Sequence, residues 1–132
     1  MTGKEAPADL LVVHLTDLHI KNAGDDSLKR IRQMAPVIGA RIDSPTVVVI
    51  AITGDIAFSG KAEQYALAIE ALKVLERELK AWNVVDVVFA VSPGNHDCDF
   101  SAMKPALRKA LLEGVGSASE DVGALLEMLA PT

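Results

Sequence analysis

Six polar residues of the kinds that bind metal ions or move protons stand in three short clusters along this chain. They are Asp17, His19, Asp55, Asn95, His96 and Asp97. Carboxylate oxygens, amide oxygens and imidazole nitrogens suit Mn²⁺, Fe²⁺ or Zn²⁺ better than a sulfur-seeking ion. Two such ions close together hold a phosphate and activate a water as nucleophile. The residue types therefore predict metal-assisted hydrolysis.

Each of the three clusters follows a short apolar run. The runs are "LLVVHLT", "TVVVIAIT" and "VVDVVFAV", at residues 10–16, 46–53 and 84–91. Nearly continuous apolar runs of this length are typical of strands that are covered on both faces of a parallel sheet. Ligands bind at the carboxyl ends of such strands. We therefore expect the three clusters to meet at one edge of a sheet.

The local sequence also indicates how each ligand would be presented. Alternate residues of an extended chain point to the same side, so Asp17 and His19 are expected to face one ion together. Gly54 lets the backbone turn closely under an ion or a phosphate, and the two oxygens of Asp55 are able to bridge two cations. Asn95 offers a neutral amide oxygen as a further ligand.

Two amphipathic segments separate the three predicted strands. In "DDSLKRIRQMAPVIGARI" the apolar residues recur at helical spacing, Asp26 or Ser27 is available as N-cap, and Pro36 predicts a kink or an early end. The more regular segment, "KAEQYALAIEALKVLERELKAW", begins at Lys61. Its predicted apolar face contains Tyr65, Ala68, Ile69, Leu72, Leu75 and Leu79. Alternating strands and helices predict an α/β fold with a largely parallel sheet and crossover helices.

The sequence after Phe100 predicts no further strand. The segments "SAMKPALRKALLEG" and "SEDVGALLEMLA" are typical of amphipathic helices, which predicts two C-terminal helices. We expect one domain over residues 1–132, with the sheet within residues 10–100 and a helical C-terminal segment at 101–132. The length of 132 residues is ordinary for a single domain.

Composition excludes several classes of function. The formal net charge of −5 and an aromatic content of 4% argue against a general nucleic-acid surface, so nucleic acid enters only as a possible substrate. Cys98 is the only cysteine, which excludes an intrachain disulfide and a thiolate-rich zinc site. No apolar stretch approaches the roughly 18 residues of a membrane span, and the first ten residues lack a signal-peptide core. We therefore expect a cytoplasmic protein without membrane contact.

Three sequence blocks resemble a known family. "DLH" at 17–19, "GD" at 54–55 and "GNHD" at 94–97 are similar to the first three of the five signature blocks of the calcineurin-like metallophosphoesterase superfamily. The resemblance implies the first half of an αββα sandwich. It also implies two divalent metal ions as cofactors, Mn²⁺, Fe²⁺ or Zn²⁺ with Mn²⁺ favoured, and a phosphomonoester or phosphodiester as substrate.

The resemblance also implies which residues bind the two metal ions. Asp17 and His19 would bind the first ion, and Asn95 would bind the second. Asp55 would bridge the two ions. This assignment agrees with the ligand chemistry of the residue types, because all four offer oxygen or nitrogen donors.

The same resemblance assigns His96 to catalysis rather than to metal binding. It implies that His96 is the general acid toward the leaving oxygen and that Asp97 orients it. A histidine ordinarily titrates near neutral pH, which suits a proton donor. The stretch "GDIAFSGKAEQY" at 54–65 is similar to a bacterial branch of the superfamily that includes cyclic-nucleotide phosphodiesterases.

The two later blocks of the family, a "GH" and a "GHxH", have no counterpart in this sequence. The three histidines are His14, His19 and His96. We therefore expect an incomplete catalytic domain with weak metal binding and little or no turnover by this chain alone. Two alternatives stay open: the chain is part of a longer protein, or it is a catalytically weak or inactive phosphoesterase-like binding or scaffold module. Such a module would associate with a partner or with itself through an apolar surface.

Overall fold

The computed structural model describes residues 8–99 together with 101, 106 and 109. In this part of the chain, strands and helices alternate as the sequence predicts. The elements are β1 Asp9–Leu15, α1 Asp26–Arg32, α2 Met34–Gly39, β2 Thr46–Thr53, α3 Ala62–Leu79 and β3 Val84–Ser92. A 3-10 turn, Asn95–Asp97, follows β3. The predicted α/β class is confirmed.

The chain forms two compact units, Met1–Cys98 and Asp99–Thr132, and all of these elements belong to the first. The two predicted C-terminal helices, within 101–132, lie outside the described ranges. The single domain over residues 1–132 stays a prediction. None of the helices in residues 8–99 is long and apolar enough to cross a membrane.

The three strands form one parallel sheet in the order β1-β2-β3, with β2 in the centre. The register pairs Val13 with Ile50 and Ile50 with Phe89. Because the strands are parallel and end almost level, the residues that follow all three leave the sheet at the same edge. This arrangement confirms the predicted parallel sheet with crossover helices.

The core lies between the helices and one face of the sheet. β2 contributes Val48, Ile50 and Ile52, which are fully buried against the helices. α1 and α2 both pack against α3, whose Leu75 and Leu79 are also fully buried. This burial against the covered face anchors β2, and with it the centre of the sheet.

The opposite face of the sheet is apolar and exposed. The register places Val12, Val49 and Val88 in one row across the three strands. Val12 is 57% exposed and Val88 is 44% exposed, and Leu10 on the same face is 66% exposed. The apolar runs predicted strands covered on both faces, and among the described residues only one face is covered. The sequence pattern reflects how apolar the second face is, and it does not identify what contacts that face.

The first predicted helix is two helices, and the break precedes the proline. α1 and α2 are separated at Gln33, whose φ of −96° and ψ of 0° leave the helical region. Pro36 lies within the first turn of α2, where its missing N–H is not needed for the helix. The N-cap of α1 is Asp25 rather than the predicted Asp26 or Ser27, although the Asp25 carboxylate does not bond to the helix.

The long predicted helix is confirmed as α3, with two differences on its apolar face. Ile69 is 52% exposed, so it does not belong to the buried face as predicted. Gln64 is buried instead, because its side-chain oxygen accepts hydrogen bonds from the N–H groups of Ser59 (3.0 Å) and Lys61 (3.3 Å). These bonds fix the loop between β2 and α3 to the first turn of the helix.

Candidate metal centre

The segments that follow β1 and β2 remain hydrogen-bonded to each other beyond the ends of the strands. The N–H groups of Asp17, His19 and Ile20 donate to the carbonyls of Gly54 (3.2 Å), Asp55 (3.0 Å) and Ile56 (2.9 Å). These bonds bring the first two predicted clusters together at the carboxyl edge of the sheet. Backbone hydrogen bonds are therefore the physical reason why these two polar clusters converge.

Three of the predicted metal ligands have an unusual backbone conformation. The φ values of Asp17, His19 and Asp55 are 54°, 47° and 55°, and no other non-glycine residue in the described ranges has a positive φ. This left-handed region is disfavoured for residues with a side chain, and such strain concentrates at functional sites. The alternation of side chains along an extended chain predicts that Asp17 and His19 face the same side. Their side-chain directions instead follow from left-handed turns.

The loop after β3 packs directly on the loop after β2, and two glycines allow it. A Cβ placed on Gly94 would overlap the backbone nitrogen and the carboxylate of Asp55. Gly54 has a φ of +91°, and a Cβ on it would come within 3.0 Å of the Gly94 Cα. The absence of a side chain at Gly54 therefore permits the contact between the two loops, in addition to the tight turn that the sequence predicted.

The three loops bring together His19, Asp55 and His96. Each of these residues offers one metal-ligating atom, and the three atoms lie within 4.8 Å of one another. The imidazole rings of His19 and His96 meet edge to face, with their centroids 4.7 Å apart. The cluster includes His96, which the family resemblance assigned to proton transfer, so the geometry leaves both roles open to it.

The remaining predicted ligands lie at the margin of this cluster. The Asp17 carboxylate is exposed, and its Oδ1 is 3.5 Å from the His19 Nε2. Asn95 is exposed at the start of the 3-10 turn, and its side chain makes no hydrogen bond to another described residue. Both residues are thus at the correct edge of the sheet, with Asp17 beside His19.

The donors fit a divalent cation. The 3.5 Å between Asp17 Oδ1 and His19 Nε2 is close to the roughly 3.4 Å that separates two ligands of one ion with tetrahedral bonds of about 2.1 Å. His19 Nδ1 is buried and has no hydrogen-bond partner among the described residues. An unsatisfied buried polar atom is uncommon in a folded protein and calls for an explanation such as a bound ion or water. Among the described residues, the His19 ring is thus held by a polar contact at Nε2 alone, next to the Asp17 carboxylate.

Local hydrogen bonds favour the charged, ligating form of Asp17. The Thr16 hydroxyl donates a 2.6 Å hydrogen bond to the Asp17 carboxylate, and this bond lowers the pKa of Asp17. Nearby His19 lowers the pKa further. Since a carboxylate must be ionised to bind a metal, this shift keeps Asp17 available as a ligand at lower pH.

The side chains of Asp55 and His96 make one hydrogen bond each. The His96 N–H donates to Asp55 Oδ1 at 2.9 Å, while no described residue bonds to Asp55 Oδ2. His96 Nδ1 lies 2.9 Å from the Phe58 carbonyl oxygen, which can only accept a hydrogen bond. Nδ1 therefore carries a proton, and Nε2 is the ring nitrogen left for a ligand or a substrate.

Asp97 holds the third loop in place. Its carboxylate accepts hydrogen bonds from the N–H groups of Ala57 (2.9 Å) and Gly94 (2.8 Å) and from the Tyr65 hydroxyl (3.0 Å). Burial raises the pKa of Asp97, but these three hydrogen bonds outweigh it and hold the pKa below its ordinary value. The carboxylate makes no hydrogen bond to the His96 ring. Any orientation of His96 by Asp97 therefore acts through the loop backbone.

Phe58 and Tyr65 are two site residues that the sequence analysis missed. Phe58 supplies the carbonyl that bonds to His96, and its ring centroid lies 5.7 Å from that of His96. Tyr65 was assigned to the apolar face of α3, yet its hydroxyl bonds to Asp97. Phe58 stands three residues after Asp55 in the same loop, and an aromatic residue at that spacing was the available signal.

The Tyr65 hydroxyl should titrate at unusually high pH. Burial, together with the hydrogen bond to Asp97, raises the pKa of Tyr65 to about 12. The stabilisation that this shift represents is present below the ordinary tyrosine pKa of about 10 and is lost as the pH rises through about 12. Tyr65 is the only tyrosine, so tyrosinate absorbance reports it alone.

Asp97→Asn should lower the midpoint of the Tyr65 titration only in part, because burial is the larger cause of the raised pKa. Circular dichroism during the same titration checks that the chain stays folded. A midpoint near 10 in a folded wild-type chain would contradict the Tyr65–Asp97 contact.

Comparison with known proteins identifies a family. The sequence matches the family described as calcineurin-like phosphoesterase over residues 10–127. Neither a search of curated proteins nor a search of solved structures finds a significant match. The family match includes all three sequence blocks, the last of which ends at Asp97, and continues to residue 127. The chain therefore belongs to the calcineurin-like phosphoesterase family.

Proposed function

We propose that this chain carries the site of a metal-dependent phosphoesterase, which hydrolyses a phosphomonoester or a phosphodiester. The observation that carries the proposal is the convergence of His19, Asp55 and His96 from three separate loops, with their ligating atoms within 4.8 Å of one another. The family match supports the same class of chemistry. The proposed cofactor is a pair of divalent ions, with Mn²⁺ favoured over Fe²⁺ or Zn²⁺.

In this proposal four side chains hold the ions. Asp17 and His19 would bind one ion, Asn95 would bind the other, and Asp55 would contribute a ligand to both. When bound, the ions neutralise the phosphate and activate a water as nucleophile. The left-handed backbone at Asp17, His19 and Asp55 orients these donors before any ion arrives, which lowers the cost of binding.

His96 is the proposed proton donor to the leaving oxygen. Its Nδ1 is bonded to the Phe58 carbonyl, so a proton on Nε2 is the one available for transfer. The N–H of His96 is in turn bonded to Asp55, which ties the proton donor to the proposed bridging ligand. Asp97 is a positioning residue in this scheme, because it holds the loop that carries His96.

We also propose that the ions are held weakly in this chain. No histidine follows His96 in the sequence, so the later histidine ligands of the family have no counterpart here. Asp17 and Asn95 are exposed, and water completes whatever positions the protein leaves open. Metal affinity depends on the number of ligands and on their support, so both factors favour weak binding and low turnover.

Asp55→Asn should weaken Mn²⁺ binding at least about tenfold, because it removes the charge of the proposed bridging ligand. Isothermal titration calorimetry with Mn²⁺ measures the effect. Asp43→Asn is the matched control, since Asp43 is an exposed carboxylate in the loop before β2, at the other end of the sheet. A wild-type chain that takes up no Mn²⁺, or an Asp55→Asn chain that binds as tightly as wild type, would count against the proposed centre.

His96→Gln separates proton donation from metal binding. As a proton donor, His96 should matter most for a poor leaving group, so the variant should lose about 10²-fold or more in kcat for a phenyl ester. The loss should be smaller for a 4-nitrophenyl ester, because nitrophenolate leaves without a proton. The variant should keep its affinity for Mn²⁺. Mn²⁺ binding that falls as far as in Asp55→Asn would instead make His96 a ligand.

A second candidate function is a binding module, and the exposed apolar sheet face favours it. In this alternative the chain associates with a second copy of itself through Leu10, Val12 and Val88. Val12→Asp should then lower the apparent mass in sedimentation experiments. Val37→Asp, on an exposed valine of α2, is the matched control and should not. A wild-type chain that stays monomeric at all concentrations tested would rule out self-association.

A further inference from the structure

Lys21 lies beside the candidate metal centre and interacts electrostatically with the Asp25 carboxylate, but it forms no salt bridge with a described residue. Its Nζ is 4.3 Å from the centroid of the Phe58 ring, over the ring face. The ammonium group itself makes no hydrogen bond and no salt bridge with any other residue in the described part of the chain. A cation over an aromatic ring is attracted by the ring, yet an ammonium keeps its three N–H donors for other partners.

The backbone fixes Lys21 and Phe58 relative to each other. The Phe58 N–H donates to the Ile20 carbonyl at 3.1 Å, and Ile20 also bridges to Ala57. The N–H of Lys21 donates to the Asp25 carboxylate at 2.5 Å, which holds the chain as it leaves the edge of the sheet. The side chain of Lys21 therefore extends from backbone that hydrogen bonds hold in place.

Lys21 is also close to the groups that would act on a substrate. The Phe58 centroid lies 5.7 Å from that of His96, and with the 4.3 Å contact this places Nζ within about 10 Å of the His96 ring. The same loops carry the carboxylates of Asp17 and Asp55, which repel an anionic substrate. A cation at this position that no salt bridge engages offsets that repulsion and gives an anionic oxygen a partner.

We infer that Lys21, held over the Phe58 ring, binds an anionic oxygen of the substrate and makes the site favour phosphate esters that carry a second negative charge. This inference rests on the proposed phosphoesterase function. The second charge is either on the reacting phosphate, as in a monoester, or on the substituent that stays attached to it. The substrate class is the same in both cases, and the two sources are separable by experiment.

Three 4-nitrophenyl esters test the inference, since all share one leaving group. They are methyl 4-nitrophenyl phosphate with one charge, 4-nitrophenyl phosphate with two on the phosphate, and 2-carboxyethyl 4-nitrophenyl phosphate with the second on the substituent. Lys21→Gln should lower kcat/KM for a doubly charged ester about tenfold more than for the methyl ester, the size of one charged hydrogen bond. Lys21→Arg should restore the preference, and Phe58→Leu should weaken it.

Lys80→Gln is the matched control for the loss of a positive charge. Lys80 follows the last turn of α3, an 18-residue helix about 27 Å long that begins near the site, so this variant should keep the charge preference. An equal loss on all three esters in Lys21→Gln would overturn the inference while leaving the phosphoesterase function intact. The doubly charged ester whose kcat/KM falls selectively in Lys21→Gln identifies the source of the second charge.

Binding of inorganic phosphate separates a failure of the inference from a failure of the proposed function. Calorimetry on the Mn²⁺-loaded chain needs no turnover, and Lys21→Gln should weaken phosphate binding about tenfold. If the wild type hydrolyses none of the esters, the phosphoesterase proposal fails, and a phosphate affinity that depends on Lys21 still supports the inference. Equal affinity in wild type and Lys21→Gln, or no binding by the wild type, overturns it.

Discussion

The candidate site depends on one constraint, the continued pairing of the backbone beyond the ends of β1 and β2. Hydrogen bonds from Asp17, His19 and Ile20 to the segment 54–56 hold two loops side by side where the sheet itself has ended. They also hold three residues in a left-handed conformation that a free loop would leave. Without this pairing the imidazole and the carboxylates would point away from one another, and no ligand cluster would form.

The third loop joins this pair through two carboxylates with different roles. Asp55 uses one oxygen to fix the N–H of His96 and keeps the other unbonded among the described residues. Asp97 directs its carboxylate toward Ala57, Gly94 and Tyr65, and so acts as an internal brace for the loop. Of these two acidic residues, Asp55 thus keeps an oxygen available as a candidate ligand, and Asp97 supports the loop. The division follows from which backbone N–H groups each of them meets.

The packed core beneath the site stabilises the fold and so compensates for the backbone strain at Asp17, His19 and Asp55. β2 is central in the sheet and buried on its helical side, so its carboxyl end is a rigid base for Gly54 and Asp55. α3 adds a second anchor, because Tyr65 in its first turns bonds to the third loop. Binding sites commonly combine an unstrained, packed core with strained and partly exposed loops.

The sequence alone determined the order of strands and helices, the edge at which the polar clusters meet, and the family, because apolar periodicity and short motifs are local properties of the chain. It did not determine the left-handed turns at Asp17, His19 and Asp55, since the bonds that stabilise them join residues far apart in sequence. Nor did it identify the bracing role of Asp97 or the carbonyl of Phe58 beside His96, because a side chain's partners depend on which loops pack together. Only the tertiary structure decided those contacts, and they determine which polar groups are available for chemistry.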